Sequence, residues 1–356
     1  MRPSRSSFSA ALRGLLTLAI GACAFVAATA SDHGDTPTFN SVVRADANLT
    51  DLHAFVVGEN LVLSLATNER IPPTATSYTF PSDLTFEINI DVDSPVSGTD
   101  PLGDGGAVML PDSITAEETF RVRFKEDGSA VVQRIHRGPR SWGGIDDSTV
   151  VLGTSNARGG PVMVAPRGEF EAPSERRLFS RRTAEPRESL AAERILANSG
   201  IVGFFAGLRD DPFIRAPRMG RNIGAIVIEV PLSSILDGQN TILIWATVQV
   251  EEIEGSQHEA VGRSLRSMFP EQDPLNEMPP SEHMSQMGMR PDVIIYNTSL
   301  PASYPNGRYL TNDVVDLACA LSAECRVANN DAPNPTANDK EFLAEFPYLA
   351  PPHVAQ

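Results

Sequence analysis

The apolar residues of this chain recur with a period of two, and the runs that carry the period are short. Phe120-Arg-Val-Arg-Phe124 alternates strictly, as does Phe86-Glu-Ile-Asn-Ile90. Successive side chains of a strand point to opposite faces, so such runs bury one face and wet the other; an amphipathic helix needs a period of 3.6. The expected strands are His53–Val57, Leu61–Thr67, Leu84–Asp91, Phe120–Lys125, Ala130–His136, Ile201–Ala206, Ala225–Val230, Ile242–Val250 and Val293–Tyr296. The first two flank a Glu59-Asn60 turn and read as a hairpin. Pro- and Gly-bearing turns separate the rest, which favours antiparallel pairing over a doubly wound sheet. The chain therefore reads as mainly β: an antiparallel β-sandwich or barrel-like fold with a few peripheral helices. Those helices are expected at Glu188–Asn198, Glu259–Phe269, Asp313–Leu321 and Asp339–Phe346.

No internal repeat interrupts this pattern, and residues 31–356 read as a single β-rich domain. Residues 154–187 depart from it as an Arg/Pro-rich loop region holding Arg176, Arg177, Arg181, Arg182 and Arg187. A solvated loop accounts for these arginines better than an anion clamp does. The Pro- and Met-rich segment 270–291 reads as a long ordered loop, a feature often tied to function.

Residues 1–30 have the form of a secretory signal. Arg2, Arg5 and Arg13 give a positive start, Leu15–Ala27 is almost wholly apolar, and Ala28-Thr29-Ala30 is an A-x-A cleavage site. The apolar stretch falls short of the roughly 20 residues of a membrane span, so export to the periplasm or beyond is expected. The alternative is a lipoprotein acylated at Cys23, after Ile20-Gly21-Ala22. Cleavage near Ala30 leaves Cys319 and Cys325, an even pair suited to a disulfide in an oxidising compartment. Six residues apart on a continuous helix, their Cα atoms would stand about 9 Å apart, beyond the ~7 Å reach of a bridge. A bridge therefore requires the helix to stop near Ser322–Glu324.

The chain holds 29 basic and 45 acidic residues, a net charge of −16, and loss of the three signal arginines with no acid takes it to −19. So acidic a chain lacks the dense basic surface of a general nucleic-acid binder. Its charge points to cations instead, and the acidic residues crowd into turns. Asp46, Asn48 and Asp51 lie in one short stretch before a strand, and Asp91 and Asp93 leave another. Calcium takes six to eight oxygens from such turns, although Asp and Asn also make turns by hydrogen-bonding their own backbone.

Arg209-Asp210-Asp211-Pro212 places two carboxylates side by side. Adjacent residues on a strand point to opposite faces, so the pair acts jointly only if Pro212 turns the chain. Otherwise it forms a polar corner anchored by Arg209. His33 would be the third residue of a chain starting at Ser31, a terminus that can wrap Cu(II) with nitrogen ligands. His283, Met284, Met287 and Met289 form a soft-donor group suited to Cu(I), or ordinary methionine packing. No G-x-S-x-G elbow, H-E-x-x-H pair or phosphate-binding glycine loop is present.

Several of these segments resemble an exported bacterial family known as domain of unknown function 4331. Ser31-Asp-His33-Gly-Asp35-Thr-Pro37 is similar to its opening, and Asn48-Leu-Thr-Asp51-Leu-His53-Ala-Phe55 to its Asp-Asn-Thr-Asp-Leu-Tyr-Ala-Phe element, with His53 in place of tyrosine. Phe205-Ala-Gly-Leu-Arg209-Asp210-Asp211-Pro212-Phe213 resembles its most specific signature. The likeness is scattered over nearly the whole chain after the signal, with a gap at about residues 140–200. It implies export and a shared β-rich fold, brings no activity, and ties His33, Asp51, Arg209, Asp210 and Asp211 to one shared feature.

The functional expectation is a non-enzymatic binding or structural module that holds a divalent cation, calcium foremost, through Asp46, Asn48, Asp51, Asp91, Asp93, Asp210 and Asp211. One alternative is a metal-assisted hydrolase using Asp210 and Asp211 with His33 or His53. Another is periplasmic copper binding through His33 and the His283–Met289 group.

Overall fold

A computed structural model describes residues 44–98, 106–137, 148–154, 200–251, 253, 257–265, 270–321 and 334–354. All of them lie within one compact unit, Ser31–Gln356. The fold is an antiparallel β-sandwich. Its first sheet takes β1 (Leu49–Val57), β2 (Asn60–Ile71), β9 (Gly203–Asp210) and β10 (Asn222–Pro231), in the order β1-β2-β10-β9.

The second sheet runs β12 (Glu259–Val261), β11 (Thr241–Val250), β3 (Leu84–Asp91), β6 (Glu118–Phe124), β7 (Ser129–His136) and β8 (Ser148–Thr154). A further strand, β13 (Ile294–Asn297), shares the free edge of β11 with β12. A short hairpin of β4 (Val96–Ser97) and β5 (Ala107–Val108) stands apart. Among the described residues no helix is long and apolar enough to cross a membrane.

The alternation read from the sequence sets the core. Phe86, Ile88 and Ile90 of β3 and Phe120, Val122 and Phe124 of β6 face Leu61, Leu63 and Leu65 of β2 and Ile226 and Ile228 of β10. All eleven are 4 % exposed or less, so the sandwich closes on a dry interior. Register follows from the same alternation, because a slip of one residue would turn every one of these side chains to the other face.

The first sheet is buried on both faces. Its outer side carries Phe55, Val62, Ala66, Phe205, Ile223, Ala225 and Val227, covered by Leu310, Tyr348 and Leu349 with Phe342 and Phe346 alongside. These five covering residues come from the C-terminal part of the chain. Phe55 meets the rings of Tyr309 and Tyr348 edge-on, at centroid distances of 4.8 and 5.8 Å. Segment 306–308 also pairs with β1, through Ala54 N–H to Arg308 O and Arg308 N–H to Ala54 O, both 3.0 Å. Gly307 sits at that crossing with φ +66°, and an added Cβ would stand 2.9 Å from Ala54 O. Only glycine meets both demands there.

Two expected helices are corrected. Glu259–Phe269 begins as β12, because the exposed edge of β11 pairs with Glu259–Val261; at Gly262 the backbone of Asp292 comes so close that an added Cβ would be 2.2 Å from its carbonyl oxygen. Asp339–Phe346 is not helical, because Phe342 and Phe346 are spread over the outer face of the first sheet. In the opposite sense, segment 270–291 contains a helix, α1 (Pro280–Met287), with Pro280 in its first turn and Gly288 at φ +65° ending it. The helix expected from Asp313 is α2 (Val314–Leu321). Cys319 lies in it, whereas Cys325, His33, the arginines of the 154–187 region and the expected helix Glu188–Asn198 lie outside the described residues.

A candidate metal centre at the end of strand β9

The Arg209-Asp210-Asp211-Pro212 corner sends its two carboxylates to different places. Asp210 ends β9 opposite Asn222, and its amide donates to Ala350 O at 3.2 Å. Asn222 holds the backbone of His353 from both sides, accepting from His353 N at 2.7 Å and donating to His353 O at 3.0 Å. The C-terminal segment is thereby fixed against the end of the strand. Asp210 Oδ1 then lies 2.7 Å from His353 Nε2, and Asp339 Oδ2 lies 3.4 Å from the same nitrogen. Asn338 Nδ2 donates to Asp210 Oδ2 at 2.6 Å, and Gly220 N–H donates to Asp339 Oδ2 at 2.5 Å.

Asp210, Asp339 and His353 each offer one ligand atom, all within 4.8 Å of one another. Atoms around an ion at about 2.0–2.2 Å, in tetrahedral or octahedral array, are spaced within that range. Asp210 is buried, and burial first, then the neighbouring charges of Asp339 and Asp211, raises its carboxyl to about 8 despite the Asn338 hydrogen bond. Three buried atoms here lack a hydrogen-bond partner: Asp210 Oδ1, His353 Nε2 and Asn338 Oδ1. The close contact between the first two does not have hydrogen-bond geometry. That contact can be bridged by a proton, as an ion pair, or by a cation. Asp339 and His353 keep side-chain exposures of 28 and 23 %, which leaves a route in from solvent.

Asp211 points the other way, into a buried ionic network. Its Oδ2 lies 2.6 Å from Arg218 Nη2, and its Oδ1 accepts from Phe213 N at 3.1 Å, closing the turn at Pro212. Arg218 Nη1 pairs with Glu69 at 2.5 Å, and Arg308 Nη2 with Asp51 at 2.6 Å. All five side chains are almost completely buried. The carboxylates outnumber the guanidiniums by one, and burial with the charges of Asp211 and Glu69 holds the Asp51 carboxyl well above the usual carboxylate range, although Arg218 opposes this. The anchor of the corner is thus Arg218. Arg209 instead stacks on Phe205, 4.0 Å from the ring centre.

Most of the other expected ligands among the described residues are held elsewhere. Asp46 pairs with Arg44 at 3.0 Å, and Asp51 lies within β1 on Arg308, so Asp46, Asn48 and Asp51 do not share a turn. Asp91 and Asp93 do converge, joined by Glu117, as a second group within 4.8 Å. There, however, Asp91 already accepts from Asp93 N, Ser94 N, Ser94 Oγ and Thr115 N at 2.6–3.1 Å. Four accepted bonds fill a carboxylate, and the group reads as a turn buttress. His283 is a structural histidine: Nε2 lies 3.0 Å from Leu275 O, and Nδ1 accepts from Asp292 N at 3.0 Å.

His53 lies on the buried outer face of β1, and burial pushes its imidazole down to about 3. It is neutral in the fold, while in the unfolded chain it takes up a proton near pH 6.5. The unfolded state therefore binds more protons between these values, so this contribution is full above about pH 6.5 and lost as pH falls toward 3. His53→Leu is expected to flatten the acid limb of a plot of urea midpoint against pH. An unchanged slope would contradict the buried, neutral assignment.

Asp339 and His353 escape sequence reasoning because nothing local marks them; they lie far from Asp210 in the chain and meet it only in the fold. A solitary histidine among the prolines of the C-terminus was the one available signal. Protein-family models, curated proteins and solved structures contain no match to this chain. The family resemblance therefore stands on its quoted motifs.

Proposed function

We propose that this chain is an exported, non-enzymatic binding module that holds one divalent cation between Asp210, Asp339 and His353. The observation that carries this reading is the convergence of one ligand atom each from Asp210, Asp339 and His353 within 4.8 Å, with Asp210 Oδ1 buried and outside hydrogen-bond geometry. Two carboxylates and one imidazole favour zinc or manganese over calcium, which takes oxygen ligands alone. The acidic excess of the chain acts with the site by drawing cations to the surface. Isothermal titration of the metal-free chain with zinc, manganese and calcium tests the proposal. One tight site for zinc or manganese, weakened by His353→Gln, is the expected result. Calcium bound more tightly than either, or no saturable site, would overturn it.

A further inference from the structure

Two of the three proposed ligands lie in the C-terminal segment at the two ends of one excursion, residues 339–353. Within it, Phe342, Phe346, Tyr348 and Leu349 cover the outer face of the first sheet. Its ends meet at Asp210, where Asp339 and His353 approach within 3.4 Å. The segment is therefore an Ω-shaped loop whose neck is the candidate site.

The side-chain ties at the neck are polar: the approaches of His353 to Asp210 and Asp339 at 2.7 and 3.4 Å, the Asn338–Asp210 bond, the Gly220–Asp339 bond, the Asn222 clamp on His353 and Lys340 Nζ donating to Pro352 O at 2.9 Å. Tyr348 also reaches Glu229 at 3.3 Å, inside the covered face. The apolar contacts under the loop hold it to the sheet but do not close its neck.

Resting on the cation reading above, we infer that the cation is a latch: by joining Asp339 and His353 to Asp210 it closes the neck and holds the loop over the sheet. Cation loss opens the loop and bares an apolar face that includes Phe55, Val62, Phe205 and Val227. A crosslink at the neck restricts the open state far more than the closed one, as any bridge across a loop does. Loading would thus govern access to the face, and the cation is regulatory as well as structural.

Hydrogen exchange of the full chain, with chelator and with saturating zinc chloride, tests this together with zinc titration of the same sample. The expected result is one bound zinc and at least tenfold slower exchange across 340–352, with no change in β3 or β6. A bound zinc with unchanged exchange across 340–352 overturns the latch and leaves the cation site intact. No bound zinc, with no bound manganese in a parallel titration, overturns the cation site itself. Asp339→Asn, at a partly exposed position, serves as the second variant: it should lose the zinc-induced protection while keeping the exchange of β3 and β6. Protection retained in that variant overturns the latch.

Discussion

Replacing Arg218 by alanine is expected to lower the unfolding free energy by about 3–5 kcal/mol, among the largest single losses in the protein. Arg218 touches both Glu69 and Asp211, and all three side chains are buried. The substitution leaves two carboxylates in a dry interior with no cation beside them, and they must take up protons or draw in water. The contrast with Arg44 sharpens the expectation. Arg44 also holds two carboxylates, Asp46 and Asp83, but its side chain is 22 % exposed and theirs 28 and 31 %. Water and salt screen such pairs, and Arg44→Ala should cost about 0–1 kcal/mol. Urea denaturation of the two variants reads the difference directly. A triple variant, Arg218→Met with Glu69→Gln and Asp211→Asn, should regain much of the loss, because it removes the stranded charges along with their partner. A loss below about 1 kcal/mol for Arg218→Ala would contradict a buried network that depends on this guanidinium.

Asp210→Asn should have the largest effect on binding, weakening zinc by roughly 100-fold or more, since loss of a mere outer-shell partner already costs up to that much. Its effect on stability has the opposite sign. Because burial raises the Asp210 carboxyl to about 8, the fold binds a proton there that the unfolded chain releases near 4. Between these values the native state holds the extra proton, so this group's contribution to stability declines as pH rises toward 8. Asparagine removes the titration. Without cation, Asp210→Asn should therefore be at least as stable as the parent at pH 8, while the parent alone loses stability between pH 5 and 8. In the parent, zinc must displace the proton, so affinity should climb with pH up to about 8 and then level. Thermal melts with chelator and titrations across that range read both effects. A destabilised variant at pH 8 without cation would contradict the assignment.

The sandwich was legible where one face is wet and the other dry. Leu84–Asp91 was located end for end, and the alternation of Phe120 to Phe124 gave the correct inward face of β6. The first sheet was less legible, because its second face is covered by residues of the C-terminal part of the chain, far downstream. Asn222–Pro231 is apolar on both faces for that reason, and no local pattern reveals what covers it. The same distance hid the candidate site. Alternation correctly separates Asp210 from Asp211, yet only the folded chain brings Asp339 and His353 to the first and Arg218 to the second. The acidic turns divide in space: Asp46 and Asp51 pair with Arg44 and Arg308, whereas Asp91 and Asp93 converge with Glu117 while Asp91 accepts bonds from nearby backbone amides and Ser94.

Anomalous diffraction at the zinc edge, from crystals of the full chain grown with zinc, tests the cation site most directly. One strong peak is expected about 2.0–2.2 Å from a carboxylate oxygen of Asp210, a carboxylate oxygen of Asp339 and Nε2 of His353. A zinc-loaded crystal with no peak there, or with its strongest peak between Asp91, Asp93 and Glu117, would contradict it.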